Sequence, residues 1–247
     1  MRAVTDVVIL MAGTGSRLRA SGEVLPKSLV PILGRPLITY IAQALADAGV
    51  QKVHAIVGAS SDGLVESLRP LIPATMLLNP IRNPDWQKQN GLSVLCAAGH
   101  VTEPFLLMMG DHLFDPAILS LVLEGGSATC LNLAVDKKLE TIFDIDDAMK
   151  VQTAGDRVVT LGKNIEIYDA IDTGIFLCPN ELFDYLQRAQ SGSPARDCSL
   201  ADGVRLMASE GKVRAIDIGP AWWQDVDTPE MRAHAEENLG ALARLQS

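Results

Sequence analysis

The sequence predicts an α/β protein in which a mostly parallel central sheet is flanked by helices. Apolar stretches of strand length alternate with amphipathic helical stretches through the first half of the chain, as in parallel sheets joined by crossover helices. The first strand, VVILM at residues 7–11, is apolar at every position, which is typical of a strand buried on both faces. We therefore place this strand near the centre of the sheet.

The other elements of the first half follow from periodicity and from proline and glycine positions. Arg35-Pro36 places a proline at the start of a helix whose apolar residues recur at helical spacing up to Gly49. Residues 79–89 are rich in proline, asparagine and aspartate, which predicts a polar loop. The further predicted elements are strands at 53–57, 75–78 and 105–109 and helices at 63–68, 91–98 and 116–124.

The second half predicts a small mixed subdomain. Residues 148–153 and 158–161 have strand character and flank Ala154-Gly155-Asp156, so they predict a β-hairpin. Further strands are expected at 128–135 and 170–176. The last helix begins at Pro229, with Thr228 as its N-terminal cap.

Composition restricts the functional class. The chain has 247 residues, 48% of them hydrophobic, so it can form a sizeable core, and we expect a single domain spanning 1–247. A net charge of -9 argues against a sequence-independent nucleic-acid binder, which needs a basic face. No apolar stretch approaches the roughly 20 residues of a membrane span, and no signal-peptide pattern precedes the first strand. We therefore expect a cytoplasmic protein without membrane insertion, whose four scattered cysteines are reduced.

The loop after the first strand has the composition of a triphosphate-binding site. Gly13 and Gly15 allow left-handed backbone conformations and let N–H groups approach an anion closely. Ser16 adds a hydroxyl donor, Arg17 a planar donor fork, and Lys27 a compact ammonium charge. Two cations and a glycine loop at one strand end predict a polyanionic ligand.

Two other glycine motifs do not fit this loop. A dinucleotide-binding fingerprint requires a third glycine where this chain has Leu18, and it requires a helix immediately, whereas residues 20–22 look like an open loop. A Walker loop requires Gly-Lys-Ser/Thr, which the chain lacks. An ordinary glycine turn would leave the arginine and the Pro-Lys pair unexplained.

The segments LMAGTGSRL at 10–18 and LPKSL at 25–29 resemble the signature of the nucleotidyltransferases that activate sugar phosphates and alcohol phosphates. The resemblance implies a Rossmann-like domain whose loop holds the triphosphate, with Arg17 and Lys27 as catalytic cations. Met11 departs from the family, which usually has a small residue there. The residues expected to contact the nucleotide are Ala12, Gly13, Thr14, Gly15, Ser16, Arg17, Lys27, Asn90, Ser93 and Asp111.

Carboxylates at two strand ends are candidate magnesium ligands. Asp111 follows the strand at 105–109, and the carboxyl ends of central strands face the ligand crevice of such sheets. Asp115 is the better cap for the helix that follows. Asp225 and Asp227 would share one face of a strand. The family's closing motif assigns a metal to Asp227, while Asp225 either ligates Mg²⁺ or holds a water of the metal shell.

Three segments resemble the CTP:inositol-1-phosphate cytidylyltransferases more narrowly: MGDH at 109–112, IDTGIF at 171–176 and WQDVDT at 223–228. Within the first of them, we interpret His112 as an orienting hydrogen-bond partner rather than an acid or base. DDAMKV at 146–151, with LGK at 161–163, is similar to the acceptor region of the same group. The residues expected to contact the acceptor are Lys150, Lys163, Asp172, Thr173 and Gly174.

The resemblance implies Mg²⁺-dependent transfer of a cytidylyl group from CTP to a phosphorylated alcohol, inositol 1-phosphate, with release of pyrophosphate. Residues 1–115 would form the nucleotide-binding half, 116–227 the acceptor-binding half and 228–247 the C-terminal helix. Asn90 and Ser93 lie where related cytidylyltransferases contact the base. The CDP-alcohol would pass to a separate transferase, and a homodimer is compatible with this interpretation.

Other substrates and one other class stay open at this point. The alternative acceptors are hexose 1-phosphates with UTP or dTTP, and phosphocholine or aminoethylphosphonate with CTP. A catalytically silent nucleotide-sensing module is the alternative of another class. It would be expected to lack Lys27, Asp111 or Asp227, and the chain has all three.

Overall fold

The computed structural model describes residues 3–13, 25–58, 61–127 and 129–245. Short 3₁₀ turns occupy Lys27–Leu29, Arg69–Leu71 and Leu139–Thr141. The strands are β1 (Asp6–Leu10), β2 (Pro31–Ile32), β3 (Arg35–Pro36), β4 (Lys52–Val57), β5 (Leu77–Arg82), β6 (Phe105–Met109), β7 (His112–Phe114), β8 (Leu131–Asp136), β9 (Lys150–Ala154), β10 (Arg157–Gly162), β11 (Ala170–Cys178), β12 (Val213–Asp217) and β13 (Trp223–Asp225). The helices are α1 (Leu37–Asp47), α2 (Asp62–Leu68), α3 (Asn90–Leu95), α4 (Ala117–Gly125), α5 (Glu181–Gly192), α6 (Leu200–Ser209) and α7 (Pro229–Leu245).

In the described part of the chain, nine strands form one sheet in the order β5-β4-β1-β6-β11-β8-β12-β10-β9. The first four strands are parallel to one another, and β8 is parallel to β12. The remaining pairings are antiparallel, and β9 also pairs with β11, so the second half of the sheet is mixed. The predicted α/β class is confirmed, with β1 between β4 and β6 and its valines and isoleucine fully buried.

The polar loop predicted at 79–89 begins later than expected. Residues 79–82 continue β5, which starts at Leu77 rather than at residue 75 and pairs in parallel with β4 as far as Arg82. Pro80 is tolerated because β5 is an edge strand, where one side of the backbone has no ladder partner. The rest of the predicted loop lies outside regular elements up to the start of α3.

Two helices of the second half, α5 and α6, were not predicted from the sequence. α5 and α6 pack on each other and on the sheet beside α3. α6 begins with a capping box, in which the Ser199 hydroxyl accepts from the Asp202 backbone N–H while the Asp202 carboxylate accepts from the Ser199 N–H. The Ser-x-x-Asp spacing was the sequence signal for this start. None of the helices in the described residues is long and apolar enough to span a bilayer.

The direction of the strands determines which residues meet at the carboxyl ends of β1 and β6, which we call the functional edge of the sheet. β1 and β6 are adjacent and parallel, so residues 11–13 and 110–111, which follow their carboxyl ends, emerge side by side. A separate two-stranded ribbon of β7 and β13 pairs His112 with Asp225, and the Val226 N–H donates to the Asp111 carbonyl at 2.9 Å. This ribbon brings residues 223–226 next to the turn after β6.

A buried polar network connects β1, β4 and β5 across one face of the sheet. His54 Nε2 lies 3.1 Å from Asp6 Oδ2, and the Asn79 side-chain amide lies 3.0 Å from His54 Nδ1. Because the amide donates to Nδ1, the ring is neutral and donates from Nε2. Burial lowers the pKa of His54 from its ordinary 6.5, although Asp6 opposes this shift.

We predict that this histidine makes the fold sensitive to mild acid. Its folded-state pKa lies below the unfolded one, so its stabilisation is complete above pH 6.5 and is lost as the pH falls through the folded value. The slope is at most about 1.4 kcal/mol per pH unit. Urea unfolding below pH 6.5 should show a flatter pH dependence for His54→Gln than for the wild type, whereas Gln87→Ala, at an exposed and uncharged position, should leave the slope intact. Equal slopes for all three proteins would contradict the assignment.

Candidate active site

A lysine bridges two carboxylates at the functional edge of the sheet. Lys27, on the 3₁₀ turn Lys27–Leu29, donates from Nζ to Asp111 Oδ2 at 2.8 Å and also to Asp227 Oδ1. The Lys27 and Asp111 side chains are about one-fifth exposed and Asp227 is buried. Three distant segments of the chain thus meet at one ammonium group.

The surroundings keep both Lys27 and Asp111 charged. Burial alone would lower the pKa of Lys27, but the Asp111 and Asp227 carboxylates outweigh it and raise that pKa. Burial alone would raise the pKa of Asp111, but His112 and Lys27 lower it far below its usual range. Lys27 and Asp111 therefore form an ion pair at neutral pH.

His112 is held on the other side of Asp111. Its Nδ1 lies 2.8 Å from Asp111 Oδ1, and its ring stacks on Trp223 with a centroid distance of 5.7 Å. Gly174 has φ +76°, and a Cβ there would lie 2.9 Å from His112 Cδ2. Burial would lower the pKa of His112, but Asp111, Asp225 and Asp172 raise it. The positive φ at Gly174 and the closeness of the His112 ring both require glycine at this position.

Two further side chains fix the position of Trp223. Its indole Nε1 donates to Asp136 Oδ2 at 3.1 Å, and Lys138 Nζ donates to Asp136 Oδ1 at 2.8 Å. Lys138 also donates to the backbone carbonyls of Gly219 and Ala221. Asp136 and Lys138 were not predicted as site residues, because neither lies in a motif and their partners are about 80 residues away.

Two cavities open on either side of the Asp111 turn. The smaller, about 200 Å³, lies against the ends of β1 and β6. The larger, about 480 Å³, lies between β11, the segment 141–149, the β13 end and α7. Both cavities are lined by Asn90, Met109 and Asp111. The cluster of Lys27, Asp111 and Asp227 therefore lies at the boundary between the two cavities.

The described residues expected to contact nucleotide all line the smaller cavity. They are Ala12, Gly13, Lys27, Asn90, Ser93 and Asp111. Asn90 Oδ1 accepts from the Leu200 N–H at 2.9 Å, and Ser93 Oγ accepts from the Asn83 side-chain amide at 2.9 Å. Thr14, Gly15, Ser16 and Arg17 lie outside the described residues.

The residues expected to contact the acceptor divide into two groups. Lys163, Asp172 and Gly174 line the larger cavity. Thr173 and Lys150 do not: the buried Thr173 hydroxyl donates to the Ala134 carbonyl at 2.9 Å, and Lys150 donates to the Lys163 carbonyl at 2.9 Å. They lie within the sheet and beside the cavity wall, respectively. Successive strand residues face opposite sides, so Thr173 points away from the cavity that its neighbours line.

Charged and aromatic side chains both line the larger cavity. Burial raises the pKa of Asp172 to about 6, although the Gly174 N–H and His112 oppose the shift. Lys163 is paired with Asp147 at the cavity mouth. Lining residues that the sequence analysis did not assign to the site include Phe143, Gln224 and His234. No local motif marks them, because they come from separate segments that meet only in the fold.

The donor set at Asp111 and Asp227 fits a magnesium ion. Both are carboxylates, and they already converge on one cation, the Lys27 ammonium. Within the described residues no group of three or more metal-binding side chains converges. Mg²⁺ is commonly held by only one or two carboxylates together with substrate phosphates. Asp225 Oδ1 instead accepts from the Gln224 side-chain amide at 2.9 Å.

The chain is similar to curated proteins along almost its whole length. The chain is 33% identical over 98% of its length to the bifunctional IPC transferase and DIPP synthase of Rubrobacter xylanophilus, and it covers 54% of that protein. It is 30% identical over 96% of its length to the protein of the same name from Aquifex aeolicus, covering 52% of that protein. The chain thus spans about half the length of these curated relatives.

A solved structure and a family model extend the comparison. The inositol-1-phosphate CTP transferase structure from T. maritima superposes with a TM-score of 0.82 at 26% identity, covering 95% of this chain and 97% of that one. Residues 7–142, more than half of the chain, match the model of the MobA-like NTP transferase domain. The chain therefore belongs to the MobA-like NTP transferase family.

Proposed function

We propose that this nucleotidyltransferase moves a cytidylyl group from CTP to inositol 1-phosphate, giving a CDP-alcohol and pyrophosphate. The two relatives and the solved neighbour named above support this choice of donor and acceptor. The observation that carries the proposal is the pair of cavities that share Asp111. Nucleotide in the smaller cavity and acceptor in the larger one would meet at the lysine and carboxylate cluster.

The reaction joins two anions, so its barrier is mainly electrostatic and positional. The acceptor phosphate attacks the α-phosphorus of CTP, and pyrophosphate leaves from the opposite side. A phosphate monoester has a second pKa near 6, so it is largely a dianion at neutral pH and requires no general base. Lys27 would donate to phosphate oxygens on which negative charge accumulates, and the Arg17 guanidinium is expected to assist it.

Asp111 and Asp227 are the residues that would hold Mg²⁺. The ion would neutralise phosphate charge and keep the two substrates in line. In the nucleotide complex we expect Lys27 to exchange its carboxylate partners for phosphate oxygens. His112 would keep the Asp111 carboxylate oriented through the hydrogen bond at Oδ1, which leaves Oδ2 toward Lys27.

The division of the chain into substrate-binding parts also belongs to this proposal. Residues 1–115 would bind CTP, with Asn90 and Ser93 near the base, and 116–227 would bind the acceptor, with Lys163 and Asp172 facing it. We propose a single domain, because β11 joins the two parts by pairing with β6 on one side and with β8 on the other.

Pyrophosphate release should identify the substrates. The assay crosses CTP, UTP and dTTP with inositol 1-phosphate, glucose 1-phosphate and phosphocholine. Phosphocholine is the most informative alternative acceptor to test. The aromatic side chains of Phe143, Trp222 and Trp223 line the larger cavity, and aromatic rings can surround a quaternary ammonium. We expect release with CTP and inositol 1-phosphate above all other pairs. Preferred release with UTP or dTTP and glucose 1-phosphate would contradict the proposal.

Removal of the Lys27 ammonium should abolish most catalysis. We predict that Lys27→Ala lowers kcat by about a hundredfold or more, equivalent to roughly 3 kcal/mol of lost transition-state stabilisation. Lys52→Ala, at an exposed position on β4, is the matched control and should keep wild-type turnover. Steady-state pyrophosphate release measures both, and wild-type turnover in the Lys27 variant would exclude its catalytic role.

Magnesium titrations should separate the ligands from their neighbour. We predict that Asp111→Asn and Asp227→Asn each raise the Mg²⁺ concentration for half-maximal activity by at least about tenfold, since each would lose one charged oxygen ligand. Asp225→Asn should change it much less, because that carboxylate is paired with Gln224. If Asp225→Asn raised the requirement as strongly as Asp227→Asn, Asp225 would be a ligand and the two-carboxylate assignment would be wrong.

A further inference from the structure

His234 is a cavity-lining side chain that the proposed reaction does not use. It lies on α7 and faces the larger cavity opposite the segment 141–149. Its ring packs against Phe143 with a centroid distance of 5.1 Å. Its Nδ1 lies 2.8 Å from Gln224 Oε1. The ring is therefore held at one nitrogen and along one face.

The partner of Nδ1 determines where the ring carries its proton. The buried Gln224 donates from Nε2 to the Asp225 carbonyl at 3.0 Å and to Asp225 Oδ1 at 2.9 Å. These two acceptors fix the amide so that its oxygen faces His234. Since an amide oxygen only accepts, Nδ1 must be the donor, and in the neutral ring Nε2 is then an acceptor.

Within the described residues, Nε2 of His234 has no hydrogen-bond partner. A half-buried ring with a fixed tautomer and one unused acceptor is suited to receive a hydrogen bond from a ligand hydroxyl. Phosphate oxygens only accept, so the neutral ring offers them nothing at this atom. Hydroxyl groups of a polyol donate, and a quaternary ammonium has no hydrogen to donate.

We propose that His234 is a specificity-determining residue whose Nε2 accepts a hydrogen bond from one hydroxyl of the acceptor. Gln224 is then a positioning residue, since it fixes the tautomer of His234 while its amide contacts Asp225, next to the metal-binding cluster. This inference rests on the proposed function and deepens it, because it names the acceptor group that the cavity recognises.

The test crosses His234 variants with single hydroxyl deletions in the acceptor. Kinetics of pyrophosphate release are measured for wild type and His234→Phe with CTP, using inositol 1-phosphate and its monodeoxy analogues at mildly alkaline pH. His234→Asn is the second variant, in case phenylalanine next to Phe143 disturbs folding, which circular dichroism monitors. Glu237→Gln, at an exposed position of the same helix, is the matched control.

The loss of kcat/KM in His234→Phe should be explained by one hydroxyl group of inositol 1-phosphate. We expect kcat/KM of His234→Phe for inositol 1-phosphate to fall about tenfold, with the KM for CTP unchanged. One monodeoxy analogue should lose about the same factor in the wild type and lose nothing further in the variant. The control variant should behave as wild type with every acceptor.

Two results would overturn the proposal, and they are distinguishable from each other. If His234→Phe and His234→Asn reduce kcat/KM by the same factor for inositol 1-phosphate and for every deoxy analogue, or leave all of them unchanged, His234 does not contact a hydroxyl. If wild-type protein releases no pyrophosphate from CTP and inositol 1-phosphate, the proposed function itself fails, and the inference that rests on it fails too.

Discussion

The site depends on one ammonium group that holds together three parts of the chain. Lys27 follows the first strand, Asp111 follows the central strand β6, and Asp227 lies 200 residues beyond the lysine. Two carboxylates this close repel each other unless a cation lies between them. The lysine neutralises that repulsion in the free protein, and the same carboxylates supply the hard oxygen ligands that a nucleotide-bound magnesium ion would require.

The ribbon of β7 and β13 holds the segments that carry Asp111 and Asp227 next to each other. Its register places Asp225 opposite His112, so the residues around the lysine are supported by backbone pairing rather than by side chains alone. Trp223, on the same ribbon, stacks on His112 and is anchored to Asp136 at the end of β8. The second half of the sheet is thus connected, through Trp223 and His112, to the Asp111 carboxylate, which lines both cavities.

Features that depend on local sequence could be predicted before the structure was known. The apolar run at 7–11 predicted the central strand, and LPKSL and the motif around Asp227 predicted side chains that do converge in the fold. α5 and α6 were missed, although α6 begins with a local Ser-x-x-Asp signal. Thr173 and Lys150 were expected to contact the acceptor, and neither of them lines the larger cavity. The placement of His234 could not be predicted, because it depends on Gln224 and Phe143, which approach it only in the folded chain. The expectations for residues 14–17 stay predictions.

The central claim is that the chemistry takes place at the boundary of two cavities, beside Asp111. A crystal structure of the protein with its CDP-inositol product and Mg²⁺ tests this most directly. We predict cytosine in the smaller cavity near Asn90 and Ser93, the diphosphate beside Lys27 and Asp111, and the inositol ring in the larger cavity. A nucleotide bound wholly within the larger cavity, with its phosphates away from Lys27, would contradict it.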